Sequence, residues 1–109
     1  MTLPGEKILY IAGPITGVKN YRPVFDKLAS KLTNRGYTVI NPACLPDGLK
    51  CHEDYMTICI PMVSVSEAVV LLPSWRKSVG AVREYAHAKS LGKPCYQLVS
   101  FSPLKVELV

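Results

Sequence analysis

No apolar run in this 109-residue chain approaches the ~20 residues that span a bilayer, so no membrane helix is expected in it. The opening Met1 to Lys7 also lacks the long apolar core of a secretory leader, and the expectation is a soluble, cytoplasmic protein without a membrane partner. The four cysteines, Cys44, Cys51, Cys59 and Cys95, form no C-x-x-C pair, and Cys51-His52 beside Cys44 matches no zinc spacing. Reduced thiols and no metal follow as the reading. A charged fraction of 19% against 49% hydrophobic excludes a largely disordered chain. The net charge of +5 is spread out, with no basic run and no stacking-aromatic motif. A nucleic-acid polymer is therefore not expected as partner, whereas a small anionic ligand such as a nucleotide suits the same charge.

What the chain does contain is organised around Val69 to Glu84. Val69-Val70-Leu71-Leu72, ended by Pro73, is the continuous apolar run of a parallel strand covered on both faces. Ser74 to Ser78 turns the chain, with Ser78 as N-cap of a helix running to about Leu91. Glu84 falls four residues after Gly80 on the same helical face, so a carboxylate open toward the strand end is expected. The plainer alternative is a solvated outer face carrying Arg83, Glu84, His87 and Lys89, with Val82, Tyr85 and Ala86 packed inward.

Before that stretch, a disordered-looking start leads into a first strand over Lys7 to Ala12. Gly13-Pro14-Ile15-Thr16-Gly17 breaks it and leaves backbone N–H groups free for an anion or a sugar. The loop is neither a dinucleotide G-x-G-x-x-G fingerprint nor a Walker loop. A helix follows from Asn20 or Tyr21 to Asn34, with Val24, Phe25, Leu28 and Leu32 on one face and Gly36 as its stop. Tyr37 to Ile40 is the second strand, closed by Asn41-Pro42. Pro42 to His52 is a loop, and a helix opening at Glu53 or Asp54 meets Pro61, which predicts a kink or an end near Ile60. Beyond the central stretch, Gly92-Lys93-Pro94 leads to a strand over Cys95 to Val99. Leu104 to Val109 reads as an edge strand, a tail or a subunit contact.

This alternation gives an α/β three-layer sandwich of flavodoxin/Rossmann-like type, a single domain whose parallel sheet has four strands ordered 2-1-3-4, or five with the C-terminal segment. The switch point between strands one and three gathers the loops Gly13 to Asn20, Pro42 to His52 and Pro73 to Ser78. Trp75, in the last of these, is expected to wall or cover a pocket. His52 lies on a converging loop, and Tyr10 either presents its hydroxyl to a ligand or packs as a core tyrosine.

Tyr10 to Gly17, Asn20, Phe25, Asn41-Pro42, Leu71 to Trp75, Ser78, Gly80-Ala81 and Glu84 together resemble the small domain family DUF4406, which is phage and bacterial. That family is similar to nucleoside 2-deoxyribosyltransferases and to 2'-deoxynucleoside 5'-monophosphate N-glycosidases. The resemblance implies a glutamate nucleophile at Glu84, a 5'-phosphate contact at Ser78, and a nucleoside pocket lined by Gly13, Pro14, Ile15 and Gly17. It further implies no metal or organic cofactor, and a homo-oligomer in which neighbouring subunits help complete the pocket. Cys59 stands where the enzymes carry an aspartate that assists proton transfer to the base, and Glu67 replaces an aspartate before strand three. Asp54, about 140° round the helix from Cys59, does not substitute for it. Three functions follow: N-glycosidic bond cleavage or transfer, silent nucleotide binding, and cleavage of a nicotinamide-ribose bond.

Overall fold

A computed structural model describes residues 7–109; the opening segment discussed above lies outside the described residues. Five strands and three helices alternate: β1 Ile8–Ala12, α1 Tyr21–Thr33, β2 Thr38–Ile40, α2 His52–Val65, β3 Ala68–Leu71, α3 Val79–Ser90, β4 Cys95–Phe101 and β5 Leu104–Leu108. Short 3-10 turns at Pro42–Cys44 and Trp75–Lys77 precede α2 and α3. The sheet order is β2-β1-β3-β4-β5, parallel through β4, with β5 added antiparallel. The C-terminal segment is thus an edge strand, folded back on β4 as a hairpin.

Alternation along β1 explains the two cores. Leu9 and Ile11 face α1, where Phe25, Leu28 and Leu32 are buried against them together with Val70 and Leu98. Tyr10 and Ala12 face the other way, into a layer built with Cys59 and Val63 of α2 and Ala81 and Ala88 of α3. β3, at the centre, is buried at all four residues, as its unbroken apolar run requires. Glu67 just before it accepts hydrogen bonds from the N–H groups of Lys7 (2.7 Å) and Ile8 (2.9 Å), tying the start of β1 to the start of β3.

Three expectations are corrected. α2 begins at His52 and continues through Pro61 to Val65. Pro61 is exposed, so the carbonyl its missing N–H leaves unbonded lies on the solvent side, where water can satisfy it. Val24 is 44% exposed rather than packed with Phe25. On α3 the plain amphipathic alternative fails, because Val82 and Ala86 are exposed while Glu84 is one of the buried residues.

Candidate active site

α3 starts where the sequence places it. The Ser78 hydroxyl accepts a hydrogen bond from the N–H of Ala81 (3.2 Å), and that N-cap fixes the helical phase. Two turns later the phase aims Glu84 inward at the carboxyl end of the sheet, where it is 6% exposed. The Tyr10 hydroxyl, on β1, donates a short hydrogen bond to Glu84 Oε2. The thiol of Cys59, from α2, interacts with both. Three elements thus meet on one carboxylate.

Burial raises the Glu84 carboxyl from its ordinary 4.5 to about 7, against the opposing effect of hydrogen bonds from Tyr10 and Cys59. Burial, then the negative charge of Glu84, holds the Tyr10 phenol far above its usual range, so it stays a donor. The Cys59 thiol is pushed up to about 11, chiefly by burial, and is neutral at physiological pH. The group is a carboxylate poised near neutrality between two protonated donors.

Glu84 opens into a cavity of about 490 Å³ whose lining includes Gly13, Ile15, Gly17, His52, Ser78 and Gly80. A second cavity, about 820 Å³, lies beside it and is lined by Pro14 and Asn20 together with Leu72, Pro73, Lys77 and Val79. Lys19, His52, Ser78 and Gly80 border both, so the two are lobes of one cleft. The first lobe sits against α2 and α3 and the second against α1, on either side of the β1–β3 switch point where doubly wound sheets bind ligands.

The expected residues divide accordingly. Tyr10, Gly13, Ile15, Gly17, His52, Ser78, Gly80 and Glu84 come together around the first lobe, with Tyr10 reaching it through Glu84. Pro14 and Asn20 belong to the second. Two residues are elsewhere. Trp75 is 5% exposed, packed against Tyr85 with ring centroids 4.8 Å apart and planes tilted by 41°, and lines neither lobe. The 3-10 turn at Trp75–Lys77 rolls its indole under α3 instead of over the cleft. Pro42 is buried in the 3-10 turn after β2, whose first residues are tied down by the Asn41 side chain accepting from Ala43 N–H (3.0 Å), and it too lines neither lobe.

The glycines serve the site by different means. A Cβ on Gly13 would lie 2.9 Å from Leu72 Cβ and 3.3 Å from Phe25 Cζ, so the first loop presses directly on the core. Gly80 does not merely uncover Glu84, as expected. A Cβ there would lie 3.1 Å from His52 Cε1 and 3.4 Å from Met56 Sδ, so the space above it is occupied by α2. His52 Nε2 is buried there without a hydrogen-bond partner among the described residues.

Several lining residues carried no signal strong enough to single out. Tyr21 and Asp47 are joined by a 3.0 Å hydrogen bond, and Arg22 pairs with Asp47 at 3.0 Å. This closes the Pro46-Asp47-Gly48 turn over the first lobe; a turn at the carboxyl end of a strand was the available clue. Of the two cations flanking Ser78, Arg76 lies over the Trp75 ring and donates to Gln97 (3.3 Å), while Lys77 lines the second lobe. Among the described residues no three His, Cys, Asp or Glu side chains are grouped to hold a metal ion. No helix there is long and apolar enough to cross a membrane.

Among solved structures, the chain is similar to a 2-desoxiribosyltransferase from Leishmania mexicana, with a TM-score of 0.66 and 19% identity over 84% of this chain. The match spans 63% of the length of that protein, and at this identity the likeness is one of fold. No curated protein sequence matches. A family model described as a domain of unknown function, DUF4406, matches residues 7–97, nearly the whole of the described structure. The chain belongs to the DUF4406 family.

Proposed function

We propose that this protein cleaves the N-glycosidic bond of a nucleoside or nucleotide, with Glu84 as the nucleophile. The observation that carries the reading is a buried carboxylate opening into the same cavity as the Gly13–Gly17 loop and the N-terminus of α3. In the first step a Glu84 oxygen bonds to the anomeric carbon as the carbon–nitrogen bond breaks, and the electron pair leaves with the base, which takes up a proton. Water or an acceptor base then attacks the glycosyl ester and frees Glu84. The transition state is positively charged at the sugar, and a close, partly desolvated carboxylate stabilises it more than water does. Tyr10 positions that carboxylate, holding Oε2 so that the other oxygen is the one to attack.

Ser78 and the first turn of α3 suit a 5'-phosphate. Ala81 N–H is taken by the Ser78 side chain, whereas Val79 and Gly80, both at the cleft, have first-turn N–H groups without intrahelical partners. The likeness in fold to a protein named as a deoxyribosyltransferase supports the same chemistry here.

Cys59 favours a second reading. A neutral thiol beside Glu84 is a poor acid for a departing base, so a chain that binds nucleotides without cleaving them is the rival. Free base measured from deoxynucleosides, their monophosphates and nicotinamide dinucleotides, with and without an added acceptor base, separates the two. The glycosidase reading expects release from at least one substrate and its loss in Glu84→Gln. Tight binding with no release in wild type supports the rival.

A further inference from the structure

The cavity holding Glu84 continues past Ser78 into a lobe that cleavage of a simple nucleoside does not need. With the anomeric carbon at Glu84 and a 5'-phosphate at Ser78, whatever is attached beyond that phosphate enters the second lobe, which both structural halves of the cleft share through Ser78 and Gly80. We propose that this lobe is a substrate subsite, and that the substrate class is a nucleotide whose 5'-phosphate carries a further aromatic or apolar group, as in a dinucleoside pyrophosphate. The proposal rests on the glycosidase reading for the orientation of the ligand.

Chemistry changes along the cleft in the order such a ligand requires. At the junction stand Lys19, Ser78 and His52, whose buried Nε2 has no partner among the described residues, and Lys77 lies just beyond. Two ammonium groups and a hydroxyl match the oxygens of a phosphate linkage. Val18 borders both lobes, and past it the apolar wall is Val24, Phe25, Leu72, Val79 and Phe101. Val18, Val24 and Val79 are 42%, 44% and 69% exposed, so the lobe presents apolar surface to water. A ring placed there covers that surface, and about 820 Å³ is ample for one. A bare monophosphate ends at the junction and leaves those side chains wet.

The test compares a deoxynucleoside 5'-monophosphate, its phenyl phosphate ester and a dinucleoside pyrophosphate, each assayed for base release and, by calorimetry, for binding. The extended compounds are expected to exceed the monophosphate at least tenfold in kcat/KM and in affinity, and Val24→Asp to bring that ratio close to one. Equal or weaker binding of the extended compounds by wild type overturns the proposal, as does failure of every compound to bind. Tighter binding without base release sustains the subsite while defeating the glycosidase reading. A dimer in sedimentation that Val24→Asp dissociates, with no preference for extended ligands, assigns the lobe to a second copy of the chain and overturns the proposal.

Discussion

Replacing Glu84 with glutamine should make the protein more stable at neutral pH. The wild-type carboxyl titrates near 4.5 in the unfolded chain and at about 7 when folded. Between those values the folded state holds the proton and the unfolded state has released it, so stability falls as pH rises through the window. At about 1.4 kcal/mol per pKa unit, the fall comes to about 3 kcal/mol and is complete once the pH exceeds the folded value. Glutamine has no proton to lose, and its amide oxygen still accepts from the Tyr10 hydroxyl. Urea denaturation of both proteins across a pH series gives the difference directly. The exposed carboxylates Asp47, Glu53 and Glu67, whose values are lowered by their hydrogen-bond partners, make both proteins less stable in acid and cancel in that difference. The gap should be small in mild acid and grow to about 3 kcal/mol in favour of Glu84→Gln above neutrality. A gap that stays constant with pH, or grows in the opposite sense, refutes the burial of an ionisable Glu84.

Two further outcomes follow from the same contacts. Tyr10→Phe removes a hydrogen bond to a charged acceptor, worth about 1.5–3 kcal/mol, so the acid limb of the kcat/KM profile for base release should move up by about one pH unit or more; an unmoved limb contradicts the contact. Gly13→Ala brings a Cβ within 2.9 Å of Leu72 Cβ, an atom that cannot swing aside, and should cost about 1–3 kcal/mol in urea denaturation. Gly17→Ala meets nothing within 4 Å, and its expected cost comes instead from holding alanine at φ +77, about 1–2 kcal/mol.

Much of the fold was legible because its signals are local. The apolar run at Val69 to Leu72 marks the central strand, and Ser78 marks the start of α3. Pro61 misled because a proline's cost depends on whether its unpaired carbonyl meets solvent, which the sequence around it does not state. Val24 and Phe25 are adjacent apolar residues on one helix, and only the position of the sheet decides which is buried. Trp75 looked like a lid because it sits in a loop, but a single 3-10 turn redirects it into the core. At the site, spacing placed Glu84 on the helical face of Gly80 and Ser78 at the N-cap, while the roles expected of them came from the family resemblance. The partner of Glu84 was not legible, since Tyr10 is 74 residues away and only the packing of β1 against α3 brings them together. The second lobe was legible only in part: Pro14, Asn20, Ser78 and Gly80 were singled out, whereas Val24 and Phe101, brought in by α1 and β4, belong to no motif.

The claim that Glu84 attacks the anomeric carbon is tested most directly by trapping the ester. A 2'-fluoro nucleotide slows both steps by destabilising the positively charged transition state, and a good leaving base restores the first. Mass spectrometry of the digested protein should then find the fluorosugar on the peptide carrying Glu84, and none on Glu84→Gln. Base release with no adduct, or an adduct on another residue, contradicts the assignment.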